Sequence, residues 1–345
     1  MGQDDWVPWK PPADDLVWPV RLDPAGVTGP TRGQARGRRW RRSAHGWYVP
    51  SSVDPGRVEQ RILEQAVRLA PRDAVTGWAS LRWRGAAFFD GRLLDGTPRP
   101  VELLRLSGAR RASETKATIS HAQLGCTEIE TVRGIVCATV QRSLFDEMRF
   151  APTVRGAVVA VDMAAAAGLI SPELMAEYVA HRHAWEGVPQ VRRALALADA
   201  RSRSPQESRL RLVWTLDAGL GPPLCNVPVF DARGELLGVP DLLDVGLGLV
   251  GEYDGAHHKG RDRHRRDVAR EQRFRDQGLE LVTVVGGDLS DRALVVGRIL
   301  AAARRARTSS APQGWTLRTP PWWDAPESLD ARLRRTGRTA ELTHT

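Results

Sequence analysis

The sequence predicts a mixed α/β (α+β) protein in which helices and strands alternate along most of its 345 residues. Apolar residues make up 42% of the chain, which is enough to form hydrophobic cores. Short apolar runs bounded by turn residues are typical of strands, and capping motifs such as Ser204-Pro205-Gln206-Glu207 are typical of helix starts. The length indicates two or three domains.

Residues 1–53 are predicted to form an arm followed by a winged-helix-like module. The first 20 residues are rich in proline and tryptophan, which favours an irregular arm. We expect a short helix over 32–38 and then a β-hairpin over 40–49 that turns near 44–46. A helix followed by a basic hairpin is typical of a winged helix, although a basic surface hairpin is the alternative. The DNA contacts would then come from four arginines, namely Arg38, Arg39, Arg41 and Arg42.

Residues 54–150 are predicted to form an α/β connecting domain, and residues 151–202 a helical connector. An amphipathic helix is expected over 57–69, a second helix around Trp78, and strands over 100–106, 117–120 and 134–138. Thr139 is the expected N-cap of the next helix, and Ser171 and Pro189 mark the starts of two connector helices.

Residues 203–307 form the clearest domain of the sequence. A helix starts after Ser204, and strands are expected over 227–230, 236–244 and 248–253. A basic helix over 262–277, ended by Gly278, is followed by a buried strand over 279–285 and a last helix from Asp288. The order α-β-β-β-α-β-α predicts one mixed sheet, and residues 308–345 are expected to be an irregular tail.

The charge of the chain favours a polyanionic partner. The net charge is +9, and only three of the 50 basic residues are lysines, so the basic surface is almost entirely arginine. This composition favours DNA as a partner, although an arginine-rich solvated surface has the same signature. Three cysteines without a CxxC pair favour a reducing cytoplasm over a disulfide framework or a zinc knuckle. We expect a cytoplasmic location and no membrane partner, because no apolar run is long enough for a bilayer.

Three carboxylates could converge in the C-terminal domain. Glu252 and Asp254 are two residues apart, so on a strand they share one face, and Asp241 follows Pro240 on the preceding strand. A hard divalent cation such as Mg²⁺ (or Mn²⁺) would relieve their repulsion and could activate water against a phosphodiester. In the alternative interpretation, Pro-Asp and Asp-Gly are ordinary turn pairs and Glu207 only closes a capping box.

Basic residues follow these carboxylates directly. His257 and His258 come first, and a histidine beside such a site could act as a general acid–base or orient a phosphate. From Lys259 to Arg275 there are eight basic and three acidic residues, which leaves a net charge of +5. Such a segment suits a phosphodiester backbone, with Lys259 and Arg270 as expected DNA contacts, although a solvated helix face is the alternative.

These motifs resemble known families. Pro240-Asp241 followed by Glu252-x-Asp254 resembles the PD-(D/E)XK, restriction-endonuclease-like superfamily. Over residues 203–290, the resemblance is closer to the very-short-patch-repair-like endonuclease domains of actinobacterial proteins, and it is carried by Glu252, Tyr253, Asp254, Gly255, His258, Asp267, Arg270 and Gly278. Residues 39–50 more weakly resemble the winged helix of AbiEi-like antitoxins.

The resemblance implies a restriction-endonuclease-like core in which Asp241 and Glu252 bind Mg²⁺ or Mn²⁺ with Asp254 beside them. It also places His258 and Glu207 in the active site. The usual motif lysine is replaced by Asp254, so either His258 or Lys259 substitutes for it or the domain binds DNA without cutting. The leading hypothesis is a metal-dependent endonuclease acting on DNA. The alternative is a non-catalytic DNA-binding regulator of the toxin–antitoxin type, with an operon-encoded toxin as its partner.

Overall fold

The computed structural model describes residues 15–93, 95–105, 115–255 and 261–336, apart from the side chains of 261–268. The chain divides into two compact units. The first holds residues 15–151 and Glu177–Val188, and the second holds Pro152–Ala176 and 189–336. Both contain helices and sheets, so the mixed α/β class is confirmed. Within the described residues, no helix is long and apolar enough to cross a bilayer.

The first unit begins with a small antiparallel sheet. Its strands are β1 (Val20–Arg21), β2 (Trp40–Ala44) and β3 (Trp47–Pro50), in the order β1-β3-β2, which confirms the predicted hairpin. The helix expected over 32–38 is only a 3-10 turn, Gln34–Arg36, flanked by two glycines. None of its three residues is buried, so a longer helix would have no apolar face to pack. Residues 15–57 contain no α-helix, and the winged-helix arrangement is not seen in this described stretch.

The rest of the first unit is built around a five-stranded mixed sheet, whose strands lie in the order β6 (Ala117–Ser120), β5 (Val101–Leu104), β4 (Ala74–Val75), β8 (Ile135–Ala138) and β7 (Ile129–Val132). The Thr139 hydroxyl accepts a hydrogen bond from the N–H of Arg142, which confirms the predicted N-cap. The strands predicted near 100, 117 and 134 are all present, whereas β4 and β7 were not predicted. In chain order the elements are α1 (Val58–Ala66), β4 (Ala74–Val75), α2 (Gly77–Trp83), β5 (Val101–Leu104), β6 (Ala117–Ser120), β7 (Ile129–Val132), β8 (Ile135–Ala138) and α3 (Val140–Arg149).

Helix α1 is buried on more than its apolar face. Ile62 and Leu63 are fully buried as predicted, but Glu59 and Glu64 are nearly as buried. These carboxylates are paired with arginines on neighbouring elements, because Arg82 bonds Glu59 and Arg41 bonds Glu64. A buried charge is tolerated only when it is paired in this way.

Four helices precede the sheets of the second unit. They are α4 (Val154–Ala166), α5 (Pro172–Ala180), α6 (Val188–Leu195) and α7 (Pro205–Leu212), and α7 continues as a π-helical turn, Val213–Asp217. Helices α4 and α7 are joined by the buried Asp162, whose carboxylate accepts hydrogen bonds from Ser208 and Arg211. This bonding holds α7 in place, and α7 carries Glu207.

The second unit contains two sheets. A four-stranded sheet has the order β14 (Glu280–Val285), β13 (Leu249–Asp254), β12 (Leu242–Asp244) and β9 (Leu224–Cys225), with β13 and β14 parallel and the other pairs antiparallel. A three-stranded sheet has the order β11 (Leu236–Gly238), β10 (Val229–Asp231) and β15 (Trp315–Thr316). The elements are β9 (Leu224–Cys225), β10 (Val229–Asp231), β11 (Leu236–Gly238), β12 (Leu242–Asp244), β13 (Leu249–Asp254), α8 (Arg261–Asp276), β14 (Glu280–Val285), α9 (Arg292–Thr308), β15 (Trp315–Thr316) and α10 (Leu329–Arg335).

Two features of this unit differ from the sequence-based expectation. The strand expected over 236–244 is split into β11 and β12 around Pro240, because proline has no N–H for a sheet ladder. The residues expected to form an irregular tail supply β15 and α10, and Asp330 of α10 accepts a hydrogen bond from Ser171 at 2.7 Å. The single predicted sheet is therefore two sheets, and part of the tail belongs to the core.

The side chains of β13 alternate between the two faces of its sheet. Leu249 packs with Trp214 on one face of the sheet, whereas Val250 packs with Phe274 of α8 on the other. Because side chains on a strand alternate, Glu252 and Asp254 lie on the same face as Val250. Both acidic residues therefore lie on the face that α8 covers.

Candidate functional site

Asp241 and Glu252 lie opposite each other on adjacent antiparallel strands. Leu242 of β12 pairs with Gly251 of β13, so continuing the register by one residue places Asp241 across from Glu252. Directly opposite residues of an antiparallel pair point to the same face, with Cβ atoms about 5 Å apart. This register is compatible with the predicted convergence of the two carboxylates, which stays a prediction.

The backbone fixes the position of Asp241 at the start of β12. Its Oδ2 accepts a hydrogen bond of 2.8 Å from the backbone N–H of Tyr253, and its backbone carbonyl accepts one of 3.1 Å from Asn226. The chain reaches this geometry because Pro240 ends the preceding segment and Asp241 turns into the strand. The side chain is thus held against the strand that carries Glu252.

Glu207 is linked to Asp241 through Asn226, which forms hydrogen bonds with both residues. The Asn226 side-chain amide donates to Oε2 of Glu207 at 2.8 Å, and its backbone N–H donates to Asp241. Asn226 has a φ of 49°, a left-handed conformation that asparagine tolerates better than most residues. Glu207 also accepts a hydrogen bond from the backbone N–H of Arg203, one residue before the N-cap Ser204, and so helps to cap α7. The same carboxylate contributes negative charge next to Asp241.

The electrostatics of the site disfavour the charged form of Asp241. Burial and the nearby negative charge of Glu207 raise the pKa of Asp241 to about 6. The N–H of Tyr253 and the positive charges of Arg270 and Arg203 act in the opposite direction but do not cancel the effect. A cation bound beside Asp241 would favour the charged form of this carboxyl.

Glu252 is already paired with an arginine of α8. The guanidinium of Arg270 donates to Oε2 of Glu252, and both side chains are largely buried. Arg270 lies one helical turn before Phe274, which packs into the core beneath α8. Arg270, which was predicted to contact DNA, is therefore directed at a carboxylate of the site.

The remaining predicted site residues are only partly described. Asp254 lies at the end of β13 on the same face as Glu252, whereas His258 and Lys259 fall outside the described residues. Over the described residues, no three histidine, cysteine or acidic side chains are arranged to hold a metal ion. A metal site at Asp241, Glu252 and Asp254 thus stays a prediction.

The four arginines of the N-terminal hairpin have different environments. Arg38 and Arg39 are exposed, as a DNA contact requires, and Arg42 is exposed but bonds His45 at 2.6 Å. Arg41 forms a two-point ion pair with the buried Glu64, so it contributes to the packing of the first unit.

Asn226 and Arg203 were not predicted as site residues. An asparagine before Val-Pro in a loop carries no sequence signal for catalysis, and Arg203 acts only through its position beside the α7 cap. No family model, curated protein or solved structure matches this chain.

Proposed function

We propose that the second unit is a metal-dependent endonuclease domain that hydrolyses phosphodiester bonds of DNA. The observation that supports this most directly is the placement of Asp241 opposite Glu252 on one face of the sheet, where burial and the nearby Glu207 raise the pKa of Asp241 to about 6. A structural role alone would not favour a buried Asp241 beside Glu207, because their negative charges repel each other.

The donor set fits a hard divalent cation. All the candidate donors are carboxylate oxygens, and one or two carboxylates are what Mg²⁺ commonly takes from a protein. Asp241 and Glu252 would hold the ion, with Asp254 beside them, and the ion would supply an activated water and offset phosphate charge. Asn226 keeps Glu207 fixed, and the Tyr253 N–H keeps Asp241 fixed, so the donors are held before any ligand binds.

A non-catalytic, antitoxin-type DNA-binding regulator is the second candidate, and one contact favours it. The guanidinium of Arg270 neutralises Glu252 without any metal ion. The third motif position also carries Asp254 in place of the lysine that usually assists hydrolysis. A domain with these two features could keep its basic helix for DNA and dispense with cleavage.

The deciding experiment is nicking of supercoiled plasmid DNA by the full chain with Mg²⁺ or Mn²⁺. Asp241→Asn keeps an acceptor for the Tyr253 N–H but removes the charge, so cleavage should fall by about 100-fold or more. The matched control is Asp244→Asn, on the same strand, whose carboxylate accepts only from the Leu247 N–H among its described contacts. The control should nick DNA like the wild type.

The regulator hypothesis predicts a different result. Wild type, Asp241→Asn and Asp244→Asn would then bind DNA equally and leave it intact with either metal ion. DNA that stays supercoiled while the protein binds it tightly would rule out the endonuclease proposal.

A further inference from the structure

The first unit contains a cavity of about 200 Å³ with a strongly basic lining. It lies where α1 meets the segments before β5 and β6. Its charged lining consists of five cations and one carboxylate, namely Arg41, Arg61, Arg92, Arg99, Lys116 and Glu64. Such an excess of positive charge needs an explanation, because like charges in a shared cavity repel one another.

Two of the five cations are compensated by the fold. Arg41 is paired with Glu64, and Arg99 bonds both Glu102 and Glu147. These residues hold the walls of the cavity together.

The other three cations have no such compensation in the described part of the chain. Arg61 donates to the backbone carbonyls of Gly91 and Arg99, and it forms no ion pair with a carboxylate among the described residues. Burial and the positive charge of Arg92 lower the pKa of Arg61, with Asp90 acting in the opposite direction. Arg92 and Lys116 are exposed at the rim, where they can reach an anion in the cavity.

We propose that this cavity binds a terminal phosphate group, either of a free nucleotide or of a 5′-phosphorylated strand end. Guanidinium groups form forked hydrogen bonds to phosphate oxygens, and a lysine adds a point charge. The volume corresponds to about seven water molecules, and it is below the roughly 300–1,000 Å³ of pockets that enclose drug-sized ligands. It therefore accommodates a phosphate better than a whole nucleotide.

This proposal does not rest on the endonuclease proposal. The cavity belongs to the first unit, whereas Asp241 and Glu252 belong to the second. EDTA chelates the divalent cations that cleavage would need, so a binding assay in EDTA measures phosphate binding alone. Either proposal can therefore fail while the other holds.

The test uses the full chain and a short oligonucleotide carrying a 5′-phosphate or a 5′-hydroxyl, with inorganic phosphate and adenosine monophosphate as competitors. The variant Arg92→Gln with Lys116→Gln removes two exposed rim cations. The matched control, Arg32→Gln with Arg36→Gln, removes two exposed cations outside the lining. Wild type should prefer the 5′-phosphate by about 10-fold or more, and the rim variant should lose about 10- to 100-fold in affinity for it.

The outcomes separate the sources of the phosphate. If adenosine monophosphate competes as well as the strand end, the ligand is a free nucleotide, and if it competes poorly, the ligand is a strand end. Equal binding of the two oligonucleotides would overturn the proposal. An equal loss in the rim variant and in the control would do the same, because only overall charge would then matter.

Discussion

Replacing Asp241 by asparagine should stabilise the metal-free protein at neutral and alkaline pH. The fold raises the pKa of Asp241 from 3.8 to about 6, because burial and Glu207 disfavour its charge. The unfolded chain has no such penalty, so ionised Asp241 destabilises the fold above pH 6. Asparagine removes this charge and still offers an oxygen to the N–H of Tyr253.

The size of the effect follows from the pKa difference. A raised carboxyl pKa means that the folded state binds the proton more tightly, so the wild type gains stability as the pH falls through 6 and has gained all of it below about pH 4. The shift of about two units corresponds to an upper limit of about 3 kcal/mol. Because solvent reaches part of the carboxyl, we expect a gain of about 1–3 kcal/mol for Asp241→Asn at pH 8.

Calorimetric unfolding in EDTA measures this effect. A gain of this size corresponds to a rise of about 2–10 °C in the Tm of a unit of this length. The rise should vanish at pH 4, where wild-type Asp241 is protonated. The control Asp244→Asn should not show the gain at pH 8. An unchanged or lowered Tm for Asp241→Asn at pH 8 would refute the electrostatic reasoning.

Three further predictions concern the packing and the exposure of side chains in the two units. Glu64→Gln should cost the first unit about 2–4 kcal/mol in urea unfolding, because it leaves the half-buried Arg41 without its carboxylate. Cys126 is exposed while the other two thiols are buried with raised pKa values, so a thiol reagent should modify one cysteine in the native protein and three in urea. Gly238→Ala should cost about 1–3 kcal/mol, since its Cβ would lie 2.8 Å from Phe274, whereas the exposed Gly246→Ala should be nearly neutral.

Local signals predicted the elements of the second unit well. The caps at Ser171 and Ser204 and the Gly278 helix end at φ 83° are all present, because each is set by a few neighbouring residues. Sheet membership was not predictable in the same way. Strand β10 pairs with β15, some 85 residues further along the chain, and nothing in the local pattern specifies such a partner.

The sequence also predicted which carboxylates share a face of the sheet better than it predicted the side chains that bond them. The two-residue spacing of Glu252 and Asp254 places them on one face of a strand whatever the remainder of the fold, and the hairpin then brings Asp241 opposite. The contacts of Arg270 and Asn226 depend on how α8 and the loop after β9 pack, and these are long-range properties. For the same reason, Arg41 was assigned to DNA binding although the fold pairs it with Glu64.

Glu207 lies close enough to Asp241 for the two carboxylates to repel each other when both are ionised. Among the described residues, Arg270 and Arg203 offset part of the repulsion between these two carboxylates but do not cancel it. The pKa of Asp241 is raised first by burial and then by this repulsion. A bound divalent cation would offset this repulsion, so Mg²⁺ should raise the Tm of the wild type at pH 8 and leave Asp241→Asn almost unchanged. If Mg²⁺ shifted both proteins equally, the ion would be binding elsewhere, and Asp241 would owe its pKa to burial alone.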